Sequence, residues 1–503
     1  MNPIFKKLAS QTAAYGLSNI VGRFLNYLLI PIYTRVFFPD EYGTVNELYA
    51  YASFLGVVFT YGMETAFFRF INEKENKKQV NDTAMLSVVV SSVVLMLLFI
   101  LFSQPLANSI RYQNHHEYII WFALILGFDA MTAIPFAKLR AKNLPGHYVF
   151  YKLFNIGVTV ALNLFFLVAC PWLLEKNPDG FISHIYNRDF GVGYVFVSNL
   201  AASALTFLIM SPFIFRRAYD FSFSLWKKMF RYAFPLLFVG LAGMVNETMD
   251  RLLLKFNLPG SNEHIMEQIG IYGACYKLSL LMTLFVQAFR MAGEPFFFGE
   301  AKKENAKQVY SMVMNYFVIA CLFIFLLVML GMDVFKYFIG SKYHEGLGIV
   351  PILLLANLCL GVYYNLTIWY KLTNKTNMGA WISIMGAGIT LILNFWWIPI
   401  MGYWGSAWAT LICYASMMVV SYLLGQKYFF VPYNIMKAGI YFSVAMGCWL
   451  TSKFLTAQVN DYSHAVPLFI NVSLLFIFTV FVYLVEVKKI FAKKYLLKNI
   501  LKR

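Results

Sequence analysis

Charge is scarce in this 503-residue chain: Asp, Glu, Lys and Arg together make up 13% of it, against roughly a quarter in ordinary soluble domains. Long polar stretches are also missing. The segments between apolar runs stay under about 20 residues, which leaves no room for a separate soluble domain. Six cysteines (Cys170, Cys275, Cys321, Cys359, Cys413 and Cys448) stand singly inside apolar runs or at their ends and form no CxxC pair. They read as small apolar packing residues. The seven histidines show no HExxH spacing, so neither a metal site nor a cofactor is expected. A GxxxxGK[ST] loop is absent too, which argues against direct use of ATP.

What remains is hydrophobic: 60% of the residues, arranged in repeated runs of about 20, each long enough to cross roughly 30 Å of hydrocarbon. The fold class is therefore all-α, a polytopic membrane protein. Fourteen spans are drawn, from 12–34 and 43–68 through to 433–455 and 466–486. The opening MNPIFKKLASQTAAYG puts two lysines ahead of a run that reaches Pro31 without a small-x-small site, so it is read as an uncleaved first span. With the N-terminus inside, 28 Lys and Arg fall in inner segments and eight, Lys255 among them, in outer loops. That asymmetry is the positive-inside bias, and it places both termini in the cytoplasm. The net charge of +17 is then mostly a topology signal, and no nucleic-acid partner is expected. The tail KKIFAKKYLLKNILKR is read either as an inside anchor or as an amphipathic helix on anionic lipid.

The chain repeats itself. METAFFRFINEKENKKQV begins at Met63, and GEPFFFGEAKKENAKQV begins at Gly293. Glu64 and Glu294 are 230 residues apart, as are Tyr42-Gly43 and Tyr272-Gly273. The repeat covers a whole helix and the loop after it. Because spans 2 and 8 differ by an even number, the copies run in the same direction. The expected organisation is a six-helix lobe at 1–217, a second at 218–430, and two further helices with a basic tail at 431–503. Two such lobes around a central cleft suggest transport by alternating access.

Five basic residues, Arg23, Lys152, Arg251, Lys277 and Arg290, fall inside spans, where a charge facing lipid costs on the order of 3 kcal/mol or more. Asn19, Arg23 and Asn26 recur at i, i+4 and i+7 and share one helical face. In NETMDRLLL, Asn246 and Asp250 share a face, and Glu247 precedes Arg251 by four residues, a good geometry for an ion pair. Asp129 is a candidate to balance Arg23. Lys277 is the repeat equivalent of Glu47, a candidate pairing across the halves. Arg290 and Glu294 lie where snorkelling is open to them, and Lys152 reads as an interfacial anchor. Tyr363, Tyr364, Trp369 and Tyr370 are either interface aromatics or a surface for stacking on sugars. Guanidinium groups suit bidentate contact with phosphate, so the pattern favours an anionic cargo.

The stretch PIYTRVFFPDEYG (Pro31 to Gly43) resembles the P-x-x-T-R…P-x-x-Y-G junction of bacterial polysaccharide exporters. RYAFPLLFVGLAGMVNETMDRLLL and GIYGACYKLS resemble the opening of their second half. Over residues 8–430 the chain is similar to the O-antigen and capsule repeat-unit flippases of the multidrug/oligosaccharidyl-lipid/polysaccharide exporter superfamily. The resemblance implies a V-shaped pair of six-helix lobes plus two C-terminal helices in the bacterial inner membrane, and a non-enzymatic activity. It implies an undecaprenyl-diphosphate-linked oligosaccharide as cargo, held by cationic residues of a central cavity, with a polysaccharide polymerase as a candidate partner and a monomeric state. Cavity candidates are Arg23, Asn19, Asn26, Arg251, Lys277 and Arg290. Candidates for ion coupling or charge pairing are Asp129, Glu47, Glu64, Glu247, Asp250 and Glu294. A drug or cation antiporter of the same superfamily is the nearest alternative. An integral-membrane polymerase or ligase is disfavoured, because the longest outer segment (171–189) carries Glu175, Asp179, His184 and Arg188 without catalytic spacing.

Overall fold

A computed structural model of the protein describes residues 20–73, 76–215, 219–301, 303–458 and 465–500. Among these every regular element is helical. The long helices are α1 (Pro39–Thr60), α2 (Met63–Glu73), α3 (Lys77–Leu101), α4 (His116–Ala141), α5 (Pro145–Leu164), α6 (Gly193–Ile214) and α7 (Phe223–Asn257). They continue as α8 (Asn262–Leu278), α9 (Leu280–Glu300), α10 (Ala306–Leu330), α11 (Val350–Leu366), α12 (Thr376–Met401), α13 (Tyr403–Tyr428), α14 (Ile435–Gln458) and α15 (Ala465–Ile500). Among the described residues, eleven helices or continuous helical runs are long and apolar enough to cross a membrane, and α8 with α9, bent by 53°, makes a twelfth if taken as one broken span. Of the two other expected spans, the first is described only from Ile20 onward, and 433–455 is represented by α14.

Local chemistry sets the helix starts. Pro39 and Pro145 open α1 and α5, where a missing N–H costs nothing. Glu41 accepts a 2.8 Å hydrogen bond from the Phe38 N–H. Asn76 and Ser222 cap α3 and α7 by accepting from the Gln79 and Leu225 N–H groups, which satisfies donors that the first turn leaves unpaired. Between α1 and α2 the chain turns through Tyr61, in the left-handed region at φ 36°. The Tyr61 hydroxyl lies 2.6 Å from Ser87 Oγ on α3.

The chain packs as two compact units. One comprises Met1–Ala274 with Ser383–Ala409, and the other Cys275–Ile382 with Thr410–Arg503. In the first, α4 lies between α3 and α6, α5 packs on α6, and α7 on α1. Its core gathers Phe59, Met63, Phe67, Met85, Ile134 and Met229. In the second, α10 packs on α11, α14 and α15, and α9 on α11. There Glu486 of α15 accepts from Tyr441 (2.5 Å) and Asn315 (2.8 Å) and pairs with Lys437 (2.5 Å). These contacts fasten the last helix to α10 and α14.

Backbones approach closely in the first unit. A Cβ built on Gly43 would lie 2.0 Å from the Met266 carbonyl oxygen, and one on Gly270 would lie 1.8 Å from that of Pro39. Only glycine fits at this crossing of α1 and α8. The two helices that open the sequence repeat therefore pack directly on one another.

Candidate functional site

The repeat has a structural counterpart in side-chain pairing. Glu64 of α2 is held by Arg140 at the end of α4, and the Arg140 guanidinium also sits 4.9 Å from the Phe68 ring. In the second unit the equivalent acid, Glu294 of α9, is held by Lys371, just after α11. Arg140 and Lys371 lie 231 residues apart. Each copy of the repeat thus fixes its glutamate with a cation from the end of another helix in its own unit. A second match lies deeper. Asn163 and Asn394, both fully buried, each donate 2.8 Å to the carbonyl four residues earlier, on Thr159 and Thr390.

Of the charge pairs that the sequence did not indicate, one is fully buried. Lys255, assigned to an outer loop, is fully buried at the end of α7. Its Nζ donates 2.8 Å to Glu47 Oε2 on α1, and Tyr112 donates 2.6 Å to the same oxygen. The ammonium also lies 4.0 Å from the Tyr112 ring centroid. Glu47 therefore pairs with Lys255 and not with Lys277. An apolar run that carries one lysine in its last turn gives no hint of this, because the partner is 208 residues away in sequence.

Arg251 is buried on α7, with Nη1 3.3 Å from Asp250 Oδ1 and 3.2 Å from the Glu247 carbonyl oxygen. Tyr272 donates 2.5 Å to the other Asp250 oxygen. The anticipated Glu247–Arg251 carboxylate pair does not form: the arginine turns to Asp250, and the Glu247 side chain is exposed. Asn246 instead bonds the Ser383 carbonyl and Thr390.

Arg23 is exposed in the helical stretch 20–27 and makes no ion pair among the described residues. Asn26 beside it is exposed as well, and Asn19 lies outside the described residues. Asp129, near the middle of α4, is exposed, and its charged neighbour is Lys152 of α5, not Arg23. Lys152, read as an interfacial anchor, lies 4.5 Å from the Phe136 ring, inside the first unit. Two helix-borne charges of this unit, Asp129 and Glu247, are exposed away from helix ends, a placement that needs a watery surface in a membrane.

In the second unit Arg290 stacks 4.4 Å from the Tyr364 ring and lies 3.6 Å from Glu294. With Lys371 they line a narrow cavity of about 10 Å³, room for about one water. Lys277 is half-buried and engaged. Tyr363 and Trp369 are buried, and Trp369 donates to Ser421 while stacking on Tyr428. That removes those two from any sugar-stacking surface. No group of three or more His, Cys, Asp or Glu positioned to hold a metal occurs among the described residues.

Residues 8–168 match the sequence profile of a family described as polysaccharide biosynthesis protein. No curated protein matches the chain. Among solved structures, the lipid II flippase MurJ in an inward closed conformation aligns with a TM-score of 0.65 at 15% identity, covering 94% of this chain and 98% of its own. An inward-facing MATE family multidrug resistance transporter of the MOP superfamily aligns at 0.60 with 13% identity, over 80% and 93%. An outward-facing one aligns at 0.54 with 14% identity, over 83% and 95%. The chain therefore shares its fold with these solved structures, which are transporters and a flippase.

Proposed function

We propose that the chain is a flippase for a lipid-linked oligosaccharide, an O-antigen, capsule or exopolysaccharide repeat unit on undecaprenyl diphosphate. It would carry this cargo from the cytoplasmic to the periplasmic leaflet of the inner membrane, with both termini in the cytoplasm. The observation that carries the reading is Arg23: an exposed guanidinium in the helical stretch 20–27, with no carboxylate partner among the described residues. A guanidinium left without a carboxylate keeps its donor fork for phosphate. The polysaccharide-biosynthesis match over 8–168 supports a glycan as the cargo. Arg251 is committed to Asp250, so Arg23 and Asn26 take the larger share of headgroup contact, with Arg290 and Lys277 as further cationic candidates.

Alternating access is the mechanism proposed, with the lobes 1–217 and 218–430 tilting about a cleft. A cargo drives such a change only through different affinity for the two states. An inside-negative potential favours outward movement of an anion by roughly 2.3 kcal/mol per charge per 100 mV.

Deleting the protein should make the lipid-linked glycan accumulate on the cytoplasmic leaflet. Normal surface glycan without accumulation would argue against flipping. Arg23→Ala should impair surface display at unchanged protein level, and Arg23→Lys should restore part of it.

A drug or cation antiporter is the second reading, favoured by the exposed acids Asp129 and Glu247. It requires that expression raise resistance to a cationic drug and that Asp129→Asn abolish the effect.

A further inference from the structure

A second cationic site lies in the first unit, away from Arg23. At the junction of α2, α3 and α4 a cavity of about 340 Å³ is lined by Lys77, Lys78, Lys138 and Lys142, with Asn72 and Asn81. Phe67 supplies part of an apolar floor. Lys77 and Lys78 form the first turn of α3, so the N-terminus of a 25-residue helix adds its own partial positive charge to theirs. Lys77, Lys78 and Lys142 form no ion pair among the described residues. These three ammonium groups around one hollow repel each other and call for a counter-ion.

Asn81 gives the second clue. It is 5% exposed, its amide N–H donates 2.8 Å to Asp82, and its Oδ1 is buried without a hydrogen-bond partner. A buried acceptor at a cavity wall is costly unless something donates to it. A bare anion cannot do so, because it only accepts. A phosphate group that also carries a hydroxyl satisfies both features: its oxygens take the lysines and its hydroxyl donates to Asn81.

We infer that this cavity binds a phosphate-bearing, hydroxyl-bearing anion, and that its source is the headgroup of an anionic phospholipid such as phosphatidylglycerol. The apolar floor is where a headgroup joins its chains. Basic pockets between membrane helices on the cytoplasmic side are suited to anionic headgroups, and these lysines are cytoplasmic in the orientation proposed above. The cavity is lined by α2, α3 and the C-terminal end of α4, and Arg23, Asn26, Lys277 and Arg290 are not among its lining residues.

The test uses the purified full-length protein in neutral detergent, titrated with short-chain phosphatidylglycerol, short-chain phosphatidylcholine and inorganic phosphate. Phosphatidylglycerol should bind, more weakly as salt rises, and phosphatidylcholine should not. Each lysine changed to Gln at 77, 78 and 142 should weaken binding about fivefold, and the triple variant on the order of a hundredfold. Lys227→Gln with Lys228→Gln, a basic pair outside the cavity, should leave binding unchanged. Inorganic phosphate binding as tightly as the lipid would overturn the lipid source and leave a soluble anion in its place. Undiminished lipid binding by the triple variant, or an equal loss in the control pair, would overturn the site. None of these readings requires flipping activity, so failure here is distinguishable from failure of the flippase assignment.

Discussion

Replacing Lys255 by methionine keeps roughly the length of the side chain and removes its charge, leaving Glu47 with Tyr112 but without its cation. Both members of the pair are fully buried, with 2.8 Å between Lys255 Nζ and Glu47 Oε2. At that distance the attraction is about 6 kcal/mol for an effective dielectric of 20, and desolvation of the two ions offsets much of it. Removing one partner of a buried pair costs about 3–5 kcal/mol, because the survivor stays buried without a counter-charge. Hydrogen bonds between membrane helices average only about 0.6 kcal/mol in comparable cycles, so the two cases are separable by experiment. The assay is a double-mutant cycle on denaturant unfolding in detergent with Lys255→Met, Glu47→Gln and the double variant. Each single variant should lose about 3 kcal/mol or more, and the double variant should regain most of that loss. Additive losses, or single-variant costs near 0.6 kcal/mol, would show that water reaches the pair and that the burial argument is wrong.

Other consequences follow from the same geometry. Gly43→Val and Gly270→Val each drive a side chain into backbone carbonyl within about 2 Å; the expected cost is about 1–3 kcal/mol or more, read as lower folded yield, whereas Gly146→Val, which meets nothing, should be neutral. Exchanging Glu64 and Arg140 should preserve folding better than Arg140→Glu alone, which sets two acids together; thermal stability in detergent checks this. Cys275, Cys321 and Cys413 are fully buried and should stay unlabelled by a maleimide until the protein unfolds.

Much of the architecture was legible because a membrane imposes a simple rule, one apolar run for each crossing. The repeat was legible for a similar reason, since Glu64 and Glu294 stand in matching sequence and are both clasped by a cation. What could not be read were partners set by helices far apart in the chain. Lys255 looked like a loop residue because a single lysine at the end of an apolar run usually reaches water. Arg251 looked paired with Glu247 because i,i+4 spacing favours it, yet Tyr272 from α8 completes a different arrangement on Asp250. Span counting also met a limit at α8 and α9, where a 53° bend divides one apolar stretch into two helices.

Reconstitution of the purified protein into liposomes with a lipid-linked oligosaccharide, fluorescently marked on its sugar, tests the central claim most directly. Cargo should cross to the opposite leaflet, open to quenching, at a rate well above empty liposomes, and Arg23→Ala should bring the rate down while the variant remains folded. Equal rates with and without the protein, or an undiminished Arg23→Ala rate, would contradict the account.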